Sequence, residues 1–328
     1  MGCHLSYVLK SNGHDVTLFD KGEIFSGMSG FNTNRLHMGY HYPRSYQTRM
    51  QSKNGYKKFL KKYPKLIKKI RNNLIYIIKK YSLIDFNTYK KVMIFSGLKI
   101  NKTNYFKKEL SDVEGLIKVE EAQILQDKSK NFFSNKLKSI LIKNSKINIK
   151  EIKHKNRRFF YKNEIFDFII DCTAGQFSKH KIFDISYEPR ITYIYKSKIK
   201  NFALMAMDGS FYNIFPYKNK DYILGSPKYS KFRKFKNLQK AKYFLKKIKK
   251  KEINKRRFES ENLVKRTFKK FNFYFKYKYY FFSLTTVMNS ESDNRATLVK
   301  KYKNIIHVLG GKIDTIFEAE KEVLRLIR

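Results

Sequence analysis

Cysteine is almost missing from this chain. Cys3 and Cys172 are the only two in 328 residues, too few for a disulfide framework, which points to a cytoplasmic protein. Long apolar runs are missing as well. Stretches such as Ile75-Tyr76-Ile77-Ile78 fall far short of the roughly 20 residues that cross a bilayer, so no membrane span is expected. The first residues show neither a basic n-region nor a continuous apolar segment ahead of a small-residue cleavage site, which argues against a standard secretory signal. No Cys/His cluster has metal-ligand spacing, so no metal is expected. Acidic residues are scarce, 27 against 72 Lys and Arg, and the formal net charge is +45. An excess of that size invites a nucleic-acid reading, because clustered cations neutralise phosphates and release counterions. The lysines are instead spread through nearly every segment. The two denser stretches, Lys57 to Lys80 and Lys240 to Arg257, carry apolar residues at helical spacing, so solvated helix faces account for them and a specific nucleic-acid partner is not expected.

What is present is enough hydrophobic material, 42% with 16% aromatic, for one large domain or two interleaved ones with real cores. Leu5, Val8 and Leu9 recur at helical spacing, Gly13 follows as a helix-ending residue, and Asp15 to Asp20 reads as a strand. From Gly22 to Pro43 runs a Gly/Ser/Asn-rich loop dotted with His, Arg and Tyr. Long irregular loops in compact domains are usually functional. Residues 46 to 82 are expected to form one or two helices, with Leu60, Ile67, Ile70, Leu74, Ile77 and Ile78 as the apolar stripe. The middle of the chain and residues 185 to 285 alternate aromatic and β-branched residues, which predicts antiparallel strands. Phe166 to Gly175 reads as a short apolar strand ending in small residues, where backbone can approach something closely. The last segment repeats that theme: a strand over Asn304 to Leu309, a tight turn at Gly310-Gly311-Lys312, and a helix over Ile316 to Ile327, with Thr315 and Glu318 at capping-box spacing.

Three strand-to-small-residue junctions therefore sit where a dinucleotide could be touched. Gly2-Cys3-His4 leads into a helix, and Asp20 ends the next strand near the spacing at which an acid hydrogen-bonds a ribose. With the loop Ser26-Gly27-Met28-Ser29-Gly30-Phe31-Asn32-Thr33-Asn34-Arg35-Leu36-His37-Met38-Gly39-Tyr40-His41-Tyr42-Pro43-Arg44-Ser45, the strand end Asp171-Cys172-Thr173-Ala174-Gly175, the pair Asp208-Gly209 with Pro216 downstream, and the terminal Gly310-Gly311-Lys312-Ile313-Asp314-Thr315, the chain resembles the FAD-dependent oxidoreductases of the D-amino-acid-oxidase and glycine-oxidase superfamily over nearly its whole length. The long loop and the terminal turn are the specific signals. A complete fingerprint places a strand and G-x-G-x-x ahead of Gly2, so Gly2 takes the third glycine's place. The expectation is a start assigned too late rather than a decayed relative, because the other motifs are intact from Gly2 onward.

The resemblance implies non-covalent FAD, an α/β architecture, and removal of a hydride from a carbon bearing an amine or hydroxyl in a small-molecule substrate. The Rossmann-like FAD-binding domain, a parallel sheet whose first strand is missing, is expected over 1–45, 105–182 and 286–328. A helical insertion and an antiparallel-sheet substrate domain are expected over 46–104 and 183–285. Expected cofactor contacts are Gly2, Asp20, Lys21, Ser29, Asn34, Arg35, Leu36, Thr173, Ala174, Gly175, Gly310, Gly311, Lys312 and Ile313. A helix beginning after Gly310-Gly311 would offer unpaired N–H groups and its positive dipole end to the N1/C2 carbonyl edge of reduced flavin, reinforced by Lys312. Expected substrate contacts are His41, Tyr42, Arg44 and Arg295, with Arg44 or Arg295 pairing a substrate carboxylate. No covalent flavin link to histidine is expected, and Cys172 reads as a small core residue. Two rival readings stand beside this one, a flavin-free degraded relative and a basic nucleic-acid-binding protein.

Overall fold

The computed structural model describes residues 1–177, 182–209, 211–218, 220–289 and 297–328, so the candidate substrate residue Arg295 lies outside the described residues. Helix α1 (Gly2–Ser11) buries Leu5, Val8 and Leu9. It stops at Gly13, whose φ of 82° lets the His14 N–H turn back to the Leu9 carbonyl at 3.1 Å, a left-handed ending that glycine adopts without strain. His4 ties this helix down. Its Nδ1 lies 2.8 Å from the Tyr63 hydroxyl, and its Nε2 is 2.8 Å from Glu320. The expected strand after α1 shortens to β1 (Leu18–Phe19), and the long loop carries only β2 (Arg35–Leu36).

Helix α2 (Tyr46–Lys62) starts where the Ser45 hydroxyl accepts the Thr48 N–H and ends ahead of Pro64, which cannot continue it. The helix expected to run on toward residue 82 is instead β3 (Ile67–Lys69) and β4 (Asn72–Ile78). Leu74 through Ile78 are all at most 4% exposed. A strand covered on both faces reads as an unbroken apolar run, and its residues meet a helical template by accident. Then follow α3 (Phe86–Phe95), β5 (Asn101–Lys102), β6 (Val113–Lys118), β7 (Ala122–Ile124), α4 (Gln126–Lys136) and β8 (Leu141–Ile142). A small sheet of β9 (Lys153–Lys155), β10 (Arg158–Tyr161) and β11 (Glu164–Phe166) precedes β12 (Ile169–Asp171).

The antiparallel strands expected over 185 to 285 are β13 (Ile185–Ser197), β14 (Phe202–Met207), β15 (Asn213–Pro216), β16 (Asp221–Gly225) and, after helices α5 (Pro227–Ser230), α6 (Leu238–Lys247), α7 (Lys250–Lys265) and α8 (Phe271–Tyr274), β17 (Phe275–Met288). They join an eight-stranded sheet ordered β17-β13-β16-β15-β14-β4-β6-β5. Only the β14–β4 contact in it is parallel. One face packs Tyr76, Tyr193, Leu204 and Leu224 against Ile253, Val264 and Phe268 of the α7–α8 segment. The other face carries one apolar cluster around Ile75, Ile117 and Met205 and a second around Ile194, Phe215 and Ile223, and its polar end bears Thr192, Asn213, Ser283 and Thr285.

The chain closes with β18 (Leu298–Tyr302), β19 (Ile305–Leu309) and α9 (Ile316–Leu326). The parallel strands form two pieces, β1 with β8 and β12 with β19. The facing edges, Leu18-Phe19 and Ile169-Ile170-Asp171, line one cavity. Gly2 sits between them, a Cβ there lying 3.5 Å from Cys172 Cβ and 3.9 Å from Leu18 Cδ1. These parallel pairs thus stand as two separate pieces with Gly2 between them. Among the described residues no helix is long and apolar enough to cross a membrane.

Helix α2 meets the turn before α9 at Gly55, where a Cβ would fall 1.6 Å from the Asp314 carbonyl oxygen. Gly55→Ala is therefore expected to destabilise the fold by about 3 kcal/mol, because overpacking against backbone outweighs the ~1 kcal/mol of helix propensity gained. Gly27, whose Cβ would meet nothing within 4 Å, is the control: Gly27→Ala should change the unfolding free energy from urea denaturation by less than about 0.5 kcal/mol.

Candidate active site

A single cleft of about 2130 Å³ runs from the start of α1, past the long loop and the Gly310-Lys312 turn, to the polar end of the large sheet. Small-molecule pockets measure roughly 300 to 1,000 Å³, so the cleft has room for a large ligand and a second, smaller one. At the first end Gly2, Asp20 and Lys21 face Thr173 and Ala174. The Asp20 carboxylate accepts the Gly22 N–H at 3.0 Å, and Lys21 donates to Gln176 at 3.0 Å. Thr173 donates its N–H and its hydroxyl to Asp171 Oδ1 at 2.8 and 2.6 Å. Ala174 and Gly175 both take positive φ, and their carbonyls accept the Thr286 and Tyr187 hydroxyls. Gly175 turns the chain without lining the cleft.

The long loop is built around Glu121, a residue that nothing in its Val119-Glu120-Glu121-Ala122 surroundings singles out in the sequence. β2 pairs antiparallel with β7 just after Glu121. Its fully buried carboxylate receives Arg35 Nε at 2.7 Å and Arg35 Nη2 at 2.5 Å, Asn73 Nδ2 at 3.3 Å and the Met38 N–H at 3.3 Å. His37 Nδ1 lies 3.4 Å from its other oxygen. Burial alone would raise the Glu121 pKa, but Arg35 and then His37 outweigh it and hold the acid down at about 2. Burial likewise pushes His37 below the usual histidine range, with Glu121 opposing. His37, His41 and Glu121 also present potential ligand atoms within 4.8 Å of one another. Arg35 already spends the carboxylate's charge, so the arrangement serves to hold the loop and the His37 ring, whose centroid lies 4.5 Å from that of His41.

Arg35, expected at the cofactor, is 5% exposed and lies over the Phe215 ring at 4.7 Å. Leu36 is fully buried beneath the loop. Asn34 takes φ 53°, and its N–H donates to Asn32 Oδ1. Ser29 accepts from Asn32 through its carbonyl at 2.8 Å, so both shape the loop rim. Arg44 is not a free cation for a carboxylate: its Nη1 pairs with Asp208 at 2.8 Å.

Across from the loop, Gly310, Gly311, Lys312 and Ile313 line the cleft. Lys312 Nζ is buried with no hydrogen-bond partner and sits over the Tyr42 ring, 3.0 Å from its centroid. Burial pulls its pKa down to about 7, with Asp314 opposing. The capping box expected next to it is not formed. Thr315 is the residue ahead of α9, but its hydroxyl is taken by Thr297 at 2.5 Å and the Lys312 carbonyl at 3.0 Å, leaving the first N–H groups of α9 without a side-chain cap.

No family model matches the chain. It is similar to FAD-dependent monooxygenase FPY4 of Fusarium mangiferae, 28% identical over 328 residues that cover 99% of this chain and 88% of the relative. Among solved structures, L-α-glycerophosphate oxidase from Mycoplasma pneumoniae with FAD bound superposes with a TM-score of 0.75 at 15% identity, over 99% of this chain and 91% of that one. Glycine oxidase from Geobacillus kaustophilus gives 0.73 at 10%, with 99% and 91% coverage. The resemblance drawn from the sequence motifs is the one these comparisons return, and the mixed architecture of parallel and large antiparallel sheets is theirs too.

Proposed function

We propose that this chain, an FAD-dependent oxidoreductase of glycine-oxidase-like fold, removes a hydride from a carbon bearing an amine or hydroxyl. The observation that carries the reading is the continuity of the cleft, from Gly2 and Asp20 past Lys312 to the polar sheet face. The residues fit a flavin: the buried Lys312 ammonium has no hydrogen-bond partner and stands with the uncapped start of α9, where an electron-rich acceptor is stabilised. On this reading Asp20 holds the ribose, Gly2 lets the pyrophosphate approach α1, and Thr173 and Ala174 close the far wall. Segments 1–45, 105–182 and 286–328 carry the cofactor, and 46–104 with 183–285 the substrate.

A bound flavin supplies the two-electron oxidation. The protein orients the substrate and moves its proton. As the C–H bond breaks, its electron pair leaves with the hydride, the O–H or N–H proton leaves to a base, and C=O or C=N forms. His41 is the base this geometry offers, its ring held against His37 and 5.9 Å from Tyr42. Neutral imidazole is the form that accepts a proton.

The test is a visible spectrum of the purified protein, followed by anaerobic mixing with amines, amino acids and alcohols. The expected result is a flavin spectrum bleached by one of these classes without nicotinamide. Bleaching only by NADH or NADPH would favour the monooxygenase chemistry named for the relative, and a colourless protein would sink the proposal.

A further inference from the structure

The polar end of the large sheet carries hydrogen-bonding capacity that the protein does not use. Arg190 and Thr192 alternate with core residues Ile191 and Tyr193 on β13, so both side chains leave the sheet on the face away from that core. Ser283 is directly opposite Arg190, and Thr285 opposite Glu188, on β17. Asn213 of β15 is opposite Gly225 of β16 and Met205 of β14. A Cβ at Gly225 would meet the Asn213 amide at 2.9 and 3.0 Å. The missing side chain is thus what lets this amide lie across the sheet. Thr192, Asn213, Ser283 and Thr285 all line the cleft and are partly exposed to it. None of the four has a side-chain hydrogen-bond partner among the described residues.

Among the described residues, both arginines of the same wall are paired. Arg44 pairs with Asp208 at 2.8 Å. Arg190 is held by Glu188 through Nε and Nη2, each at 2.6 Å. Lys231 is likewise partnered, and Lys242 is exposed on α6. A substrate carboxylate or phosphate seated on Arg44 or Arg190 would have to break its pair and leave Asp208 or Glu188 unpaired in a half-buried wall, which is costly. Neutral hydroxyl groups would instead meet donors and acceptors that are already facing them, at no such cost.

We infer that the substrate is a neutral polyhydroxylated molecule, a sugar or polyol, held over the sheet by Thr192, Asn213, Ser283 and Thr285 rather than by an ion pair. The inference rests on the oxidoreductase reading above and narrows it to oxidation of a secondary or primary alcohol. A bound flavin would take the hydride from the alcohol carbon and His41 would take the hydroxyl proton, so that a carbonyl forms. Sites built to hydrogen-bond hydroxyls discriminate strongly against ligands that lack them.

The test takes the flavin-loaded protein and two panels: D-glucose, myo-inositol and glycerol against glycine, L-proline and glycerol 3-phosphate. Binding is read by saturation-transfer NMR and reduction by anaerobic stopped flow. The expected result is binding and bleaching by a member of the neutral panel. Thr192→Val and Asn213→Leu are each expected to raise its half-saturation concentration tenfold or more, with the flavin spectrum and the unfolding midpoint unchanged. Binding confined to the charged panel, or neutral-panel saturation indifferent to both substitutions, would overturn the inference while leaving the oxidoreductase reading intact. A protein without flavin fails the earlier spectrum and takes both readings with it.

Discussion

Glu121→Ala should be the most damaging single truncation beneath the long loop, lowering stability by about 3–5 kcal/mol, the range found when one partner of a buried ion pair is removed. The loss has little to do with attraction gained. Arg35 is 5% exposed, and without Glu121 its guanidinium would keep, among the described residues, the weak contact to Met205 Sδ at 3.9 Å and the Phe215 ring face. Asn73, the Met38 N–H and His37 would lose their acceptor together. Glu121→Gln keeps an oxygen for the Met38 N–H but turns an amide toward the guanidinium, so it should be nearly as damaging.

The same pair fixes a pH dependence. The folded pKa of Glu121 is about 2 against an ordinary 4.5, so the unfolded chain takes up the proton first as acid is added. The stabilisation is present above about 4.5 and is lost progressively as pH falls toward 2, on the order of 3 kcal/mol in all. Urea midpoints measured at steps between pH 6 and 3 should fall for the native protein and fall less for Glu121→Gln. Parallel slopes for the two proteins would show that other carboxylates govern the acid limb.

How much of this was legible beforehand differs between elements for physical reasons. Helix α1, the short strands before Cys172 and Gly310, and the terminal turn announce themselves because glycine and small residues follow short apolar runs, a local signal. β4 was misread because burial on both faces erases the period-two alternation that marks a strand. Its parallel neighbour β14 lies some 130 positions away in the chain (Phe202 opposite Asn72), and no local pattern encodes that pairing. Glu121 was invisible for a similar reason: its meaning comes from Arg35, 86 residues away. Arg44 was legible as a cation in the right loop, but its neutralisation depends on Asp208, 164 residues on. The capping box failed by competition, since Thr297 and the Lys312 carbonyl took the Thr315 hydroxyl.

Lys312 is where sequence and geometry meet most directly, and its replacement should have the largest effect on turnover. Burial brings its pKa down to about 7, so near neutrality it divides between a charged form, able to stabilise negative charge collecting beside the start of α9, and a neutral form that stabilises it less. Protonation is favoured at low pH, so kcat/KM should be highest below about 7 and decline as pH rises through it. Lys312→Met removes the charge at every pH. Loss of one preorganised donor to a developing charge typically costs about 100- to 1,000-fold in rate, and the inflection near 7 should vanish with it. Lys312→Arg keeps a cation that stays protonated, so its profile should be flat through neutral pH and its rate well above that of Lys312→Met. If the decline above 7 survives in Lys312→Met, the group that titrates is not Lys312, and the charge at this turn has no part in the chemistry.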